Sequence, residues 1–187
     1  TAEFLLPGKK DPVIKAELPK RFSAEKKAHE FLESLKGSDF TVTEVAKSPA
    51  TRNPSAPFTT STLQQEANAK LGFGAKATMA SAQKLYQDGK ITYMRTDSVN
   101  LSKQAIGSAA QFIKNTYGEQ YSQIRTYATK AAGAQEAHEA IRPTDVTKEK
   151  GSTNAYDQKL YTLIRNRTLA SQMAPAKLEK TVITIAI

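Results

Sequence analysis

Tyr93 and Arg95 stand two positions apart in the run Ile91-Thr92-Tyr93-Met94-Arg95-Thr96-Asp97-Ser98. The run reads as strand-like, and side chains at i and i+2 of a strand point to one face. A phenol and a guanidinium on one face can meet the same phosphate, the phenol to attack it and the guanidinium to hold its charge. In a chain with 27 Lys and Arg against 18 Asp and Glu, that pair points to covalent chemistry on a nucleic-acid backbone. A lone Tyr-x-Arg also occurs on ordinary surface strands, so the residues on either side decide between the readings.

An unperturbed phenol titrates near roughly pH 10 and is a poor nucleophile at neutral pH. It needs a neighbouring cation, a base or a metal-linked proton path. Arg95 supplies positive charge without losing its proton. The remaining phosphate oxygens need donors as well, because charge stabilisation is most of a protein's work in phosphoryl transfer. Thr92, Thr96 and Ser98 offer hydroxyls close by. Asp97 can orient Arg95 or cap the helix that follows, and the cap is the larger role expected.

A second group lies in Ala137-His138-Glu139-Ala140-Ile141-Arg142-Pro143-Thr144. His138 and Arg142 would share a face of a helix, but Pro143 disfavours helix at Arg142, so the segment can turn there. The pair suits phosphates upstream of the one attacked; it equally suits a helix end with two ordinary polar residues. The third feature, Ser61-Thr62-Leu63-Gln64-Gln65-Glu66, reads as a capped helix N-terminus, which also welcomes phosphate.

Composition narrows the class. The chain has 187 residues, enough for one domain or two small ones, and its 39% hydrophobic and 24% charged content is that of a globular protein. A net charge of +9 favours a polyanionic partner and salt-sensitive binding. With no cysteine and two histidines far apart in sequence, disulfides and thiolate metal sites are excluded and a dedicated zinc site is not expected. No apolar run reaches membrane-spanning length and no signal peptide is visible, so the expected compartment is the cytoplasm. The closing run Thr181–Ile187 is apolar and β-branched with no turn behind it. An unpaired strand there would invite aggregation, which suggests an excised piece of something longer.

The elements that must position these residues follow from periodicity and punctuation. Phe4-Leu5-Leu6 and Val13–Leu18 read as short strands around Pro7-Gly8. Ser23 caps a helix to about Ser34 whose apolar face carries Ala28, Phe31, Leu32 and Leu35; Gly37 stops it, and His29 is a surface residue on it. Phe40–Val45 alternates like a half-buried strand, and Pro49–Pro57 reads as a linker. A helix capped at Ser61 or Thr62 runs to about Leu71, and Gly72-Phe73-Gly74 breaks it. A second helix covers Ala75–Gln87, with Met79, Ala82, Leu85 and Tyr86 on one face. Gly89 ends it before the Tyr93 strand. Asp97, Ser98 or Asn100 caps a helix of about Leu101–Thr116, residues 119–134 form a mobile polar loop, and Asn154 starts an amphipathic helix to about Met173. Pro175 releases the chain into the closing strand. Tyr86, Tyr117, Tyr121, Tyr127, Tyr156 and Tyr161 serve mainly as packing. Helix, glycine turn, helix, strand is also the order of winged helix-turn-helix modules.

Four blocks in order, Pro57–Ala67, Leu71–Gly74, Ile91–Ser98 and Gln135–Thr144, resemble the bacterial topoisomerase I group of type IA DNA topoisomerases. The resemblance is firm over about residues 57–175 and weak in sequence at both ends. It implies an α+β fold: a mainly helical, winged-helix-like (CAP-like) tyrosine domain, 57–175, inserted in a small β-strand arch formed by 1–56 and 176–187. The linkers near Pro49–Pro57 and around Pro175 would then be hinges of a DNA gate.

The same resemblance implies that Tyr93 is the nucleophile that breaks one strand, keeps its 5′ phosphate as phosphotyrosine, and later returns it to the 3′ hydroxyl without ATP. Arg95 matches the arginine that positions the scissile phosphate, and His138 one that contacts a neighbouring phosphate. Gln83, Thr92, Thr96 and Asp97 fall in blocks that line the site, while Arg142 matches without an assigned contact. The implied partners are single-stranded or negatively supercoiled DNA and a metal-binding domain of the same chain. That domain would bring Mg2+, and no Asp-x-Asp-x-Asp run is present here. The expected whole is a monomeric, cytoplasmic, nucleoid-associated isomerase, of which this piece alone would be inactive. Two rivals are a non-catalytic, winged-helix-like DNA-binding module and a tyrosine recombinase, which leaves the opposite strand end attached.

Overall fold

The computed structural model describes residues 1–4, 14–19, 21–127 and 138–187. Leu5–Val13 and 128–137, and with them the Pro7-Gly8 turn and the start of the His138 block, lie outside the described residues. Contacts divide the chain into two units, Pro49–Glu179 and Thr1–Ser48 with Lys180–Ile187. Helices and short strand pairs coexist, an α+β content.

The larger unit is helical. α2 (Thr60–Leu71), α3 (Ala75–Gln87), α4 (Lys103–Tyr117) and α5 (Ala155–Ser171) are its helices. α5 is the central one: α2, α3 and α4 all pack on it, and α2 also packs on α3. The core joins Leu63 and Ala67 of α2, Ala82 and Leu85 of α3, and Leu160, Tyr161 and Ile164 of α5. Phe58, Ile91, Met94 and Ile141 close the same core from the loops. A second cluster packs Ala109 and Ile113 of α4 on Val146 and Leu169.

Several helix starts differ from the sequence expectation. α2 is capped by Thr59, whose hydroxyl accepts from the Thr62 N–H at 3.3 Å while the Thr59 N–H donates to the Thr62 hydroxyl at 2.9 Å. That reciprocal box displaces Ser61 and Thr62 as caps and starts the helix two to three residues earlier, directly after the buried Phe58. α4 is capped by Ser102, not by Asp97, Ser98 or Asn100, since those residues belong to an extended stretch held by other bonds. α5 begins at Asn154 as expected, its side chain accepting from the Tyr156 and Asp157 N–H groups. Gly72 ends α2 at φ +69°, where a glycine meets no side-chain penalty.

Residues 119–127 are not a free loop. Glu119–Tyr121 form a 3-10 turn, and Ser122 bridges Met173. The Gln172 carbonyl accepts from the Gln123 N–H, its side-chain oxygen from the Arg125 N–H, and the Tyr127 hydroxyl donates to Ser171 O at 3.0 Å. The buried Gln172 thus spends its amide on this segment, a contact that polar composition does not reveal.

In the smaller unit, β1 (Ala2–Phe4) pairs antiparallel with β2 (Ile14–Ala16), Glu3 opposite Lys15. α1 covers Glu25–Ser34 with Ala24 at the cap position and no side-chain cap bond, so Ser23 does not cap it. None of its residues is buried, and Leu32 is 60% exposed. β3 (Thr41–Arg52) pairs with β4 (Ala176–Ala186). β3 runs through Pro49 to Arg52, so the first part of the expected linker is strand: its backbone has a partner in β4, and Pro49 sits in a two-stranded ribbon rather than a sheet interior. Alternation in Phe40–Val45 does not yield a half-buried face, since Val42 and Val45 are both exposed.

Candidate active site

α3 ends at Gln87 with Asp88 as its C-cap, and Gly89, at φ +65°, turns the chain into the Tyr93 segment. The segment is not a strand. Ile91 makes one isolated bridge with Pro143, and residues 92–98 bend without a strand partner. Their backbone groups are taken instead by side chains and loops. The Thr96 N–H donates to the Thr60 hydroxyl at 2.9 Å, and the Thr60 N–H and hydroxyl donate to the Thr96 carbonyl. The Thr60 hydroxyl also reaches the Met94 carbonyl at 2.8 Å. The first residue of α2 therefore holds the Tyr93 segment by its backbone.

Alternation survives without the strand. Met94, Thr96 and Ser98 are buried, and Tyr93, Arg95 and Asp97 are exposed. Tyr93 is 42% exposed, and its ring meets that of Tyr86 edge-on at 5.3 Å and 66°. Among the described residues, neither the Tyr93 hydroxyl nor the Arg95 guanidinium has a hydrogen-bond or ion-pair partner, and the Asp97 carboxylate makes no hydrogen bond or ion pair with Arg95 or Ser102.

The other expected residues take distinct places. Thr96 accepts the Ser98 N–H at 3.1 Å and is nearly buried. Thr92 is half-buried and donates its hydroxyl to the Ala140 carbonyl at 2.7 Å. Its N–H donates to the Arg142 carbonyl at 2.9 Å, and the Arg142 N–H donates back to its hydroxyl at 3.0 Å. His138 is exposed at the start of this described stretch. Gln83 is half-buried on α3, one turn before Tyr86 and on the same side of the helix.

Residues 138–144 are extended, not helical: Ile141 bridges Phe58 and Pro143 bridges Ile91. His138 and Arg142 therefore do not share a helix face. The Arg142 guanidinium is taken up by Glu139, with Nη2 to Oε2 at 2.6 Å and Nε to Oε1 at 3.3 Å, and by the Pro143 carbonyl. Glu139 also accepts the Ser102 N–H at 2.6 Å, at the cap of α4. Burial pushes the Glu139 carboxyl up, but hydrogen bonds from Arg142 and Ser102 and the Arg142 charge outweigh it and hold the group below its usual range.

The blocks that stand apart in sequence are thus one assembly in which each touches the other two: Phe58 bridges Ile141, Thr60 holds Thr96, and Ile91 bridges Pro143. Thr60, Tyr86, Glu139 and Ser102 are members that residue type and spacing did not single out. Thr60 and Thr96 are 36 positions apart, and no periodicity links them. Tyr86 was expected as packing, yet it is 41% exposed beside Tyr93; Tyr117, Tyr121 and Tyr156 are also exposed at 36% or more, and only Tyr161 is fully buried. Among the described residues no group of three or more His, Cys, Asp or Glu could hold a metal ion.

The chain belongs to the DNA topoisomerase family: the family model described as DNA topoisomerase matches residues 3–187. It is 50% identical over 160 residues to the prokaryotic-type DNA topoisomerase 1 of Acanthamoeba polyphaga mimivirus, covering 84% of this chain and 19% of the relative. It is 51% identical over 153 residues to DNA topoisomerase 1 of Zymomonas mobilis, covering 81% of this chain and 12% of the relative. The structure of full-length topoisomerase I from Thermotoga maritima superposes with a TM-score of 0.65 at 39% identity, covering 91% of this chain and 29% of that one. The chain spans less than a fifth of the length of these two curated relatives. No described helix is long and apolar enough to cross a membrane.

Proposed function

We propose that this chain is the tyrosine-bearing part of a type IA DNA topoisomerase. The Tyr93 oxygen attacks a phosphodiester of one DNA strand. A bond forms between that oxygen and phosphorus, the bond from phosphorus to the 3′ oxygen breaks, and the proton lost by the phenol balances the one gained by the 3′ hydroxyl. The strand's 5′ phosphate stays on Tyr93. After another strand has passed, the 3′ hydroxyl attacks and the bonds exchange back, so negative supercoils relax without ATP. Arg95 neutralises the phosphate. His138 contacts a neighbouring phosphate, with Gln83 and Asp97 lining the strand's path, while the buried Thr96 supports the segment from within. The α2–Gly72–α3 pair serves as a winged-helix-like frame for the site.

The observation that carries this reading is the exposure of Tyr93 and Arg95 together, the hydroxyl and the guanidinium both without a hydrogen-bond or ion-pair partner among the described residues, on a segment whose alternate side chains are buried. The charge of +9 supports a single-stranded DNA partner. In this proposal the parent enzyme is monomeric and cytoplasmic, associated with the nucleoid, and its Mg2+ belongs to another domain of the same chain. This piece alone does not relax DNA.

The test uses the full-length parent with end-labelled single-stranded DNA, quenched in denaturant and digested. The label is expected on the Tyr93 peptide through a 5′ phosphate, and Tyr93→Phe abolishes it. An adduct on another residue, or none, refutes the assignment; a 3′ linkage would indicate recombinase chemistry.

A further inference from the structure

Thr92 directly precedes Tyr93, and its side chain faces protein. Its hydroxyl hydrogen goes to the Ala140 carbonyl at 2.7 Å, and its oxygen accepts the Arg142 N–H at 3.0 Å. Its own N–H donates to the Arg142 carbonyl at 2.9 Å. The 140–142 stretch is in turn fixed to the other end of the Tyr93 segment. The Ala140 N–H donates to the Asn100 carbonyl at 2.8 Å, and the Glu139 carboxylate accepts the Ser102 N–H at 2.6 Å. Glu139 also holds the guanidinium of Arg142, whose side chain is only 16% exposed. The brace therefore grips the chain on both sides of the exposed residues Tyr93, Arg95 and Asp97, at Thr92 and at Asn100–Ser102.

We propose that Thr92 and Glu139 are positioning residues for Tyr93: through Ala140 and Arg142 they fix both ends of the segment that presents the phenol and the Arg95 guanidinium. The proposal rests on the assignment of Tyr93 as nucleophile. It gives Arg142 a role inside the protein, and it removes Thr92 from the residues expected to touch DNA. The physical reason is the tolerance of in-line attack. The segment has no strand partner to stiffen it, and a displacement near 1 Å from the attack geometry costs about 100-fold in rate.

The experiment compares full-length parent enzyme with Thr92→Val, Thr92→Ser and Glu139→Ala. Three quantities are read: the single-turnover rate of covalent adduct formation on a labelled oligonucleotide, the non-covalent affinity for the same oligonucleotide in a Tyr93→Phe background, and thermal melting. Thr92→Val and Glu139→Ala are expected to slow adduct formation by about 10- to 100-fold with affinity unchanged. Thr92→Ser, which keeps the hydroxyl, restores the rate. An unchanged rate overturns the proposal. So does a rate loss matched by a loss of affinity, which marks Thr92 as a DNA contact, or one matched by a fall in melting temperature that Thr92→Ser does not repair, which marks a folding defect. If the unmodified parent forms no adduct on Tyr93, the nucleophile assignment fails and this proposal with it; failure of the variants alone leaves that assignment standing.

Discussion

The Ser81 hydroxyl donates to the Asp157 carboxylate at 2.6 Å, joining α3 to the first turn of α5 in the interior of the helical unit. Asp157 lies at the N-terminal end of α5, where a negative charge is favoured, and Lys84 approaches its other oxygen at 3.9 Å. α3 delivers the chain to Tyr93, so this bond sets the base on which the site is built. Ser81→Ala leaves a buried carboxylate oxygen short of a donor and is expected to destabilise the chain by about 1–3 kcal/mol, measured by denaturant unfolding.

Gly151 is a packing position. A Cβ there would lie 2.3 Å from the Tyr161 ring, which is fully buried and anchors the 145–148 turn through its hydroxyl, donating to Lys148 O at 2.8 Å. Gly151→Ala forces backbone and ring apart, and an unfolding cost of about 1–3 kcal/mol is expected. Gly74→Ala meets nothing within 4 Å and serves as the control in the same measurement.

Acid should loosen the helical unit at α2. Burial raises the Glu66 pKa, but hydrogen bonds and charge from Lys70 and Arg167 outweigh it and leave it below the ordinary 4.5. A depressed folded-state pKa means stability that is fully present above the unfolded value and lost as pH falls through the folded one. Unfolding free energy is therefore expected to fall as pH drops below 4.5, and Glu66→Gln to flatten that slope. Because Glu139 shifts in the same direction, the double change with Glu139→Gln should flatten it further.

Tyr93→Phe should cost the fold almost nothing. Its hydroxyl has no partner among the described residues, and the edge contact with Tyr86 keeps the ring. A change within about 0.5 kcal/mol is expected for the chain, against complete loss of the covalent adduct in the parent enzyme. A large melting shift would mean that the hydroxyl is structural.

The cap of α2 gives a sharper local test. Thr59→Ala removes the acceptor for the Thr62 N–H and should destabilise by about 0.5–2 kcal/mol, whereas Ser61→Ala should be nearly neutral because Ser61 caps nothing. Urea midpoints of the two variants distinguish them.

Helix existence and type were legible because each signal is local. The 3.6-residue spacing of Ala82 and Leu85, the αL-tolerant Gly72 and the Asn154 cap act within a turn or two of themselves. The common face of Tyr93 and Arg95 was legible too, since alternation needs only an extended chain, though the chain is held here by Thr60 and Arg142 rather than by a neighbouring strand. Tertiary structure alone decided what pins that segment, which hydroxyls face protein, and that β3 continues through Pro49. Those outcomes depend on which distant backbone groups find each other once Phe58, Ile91 and Ile141 are buried together. A hydrogen bond such as Thr60 to Thr96 spans 36 positions and leaves no periodic trace in the chain, because its geometry exists only after the core has closed.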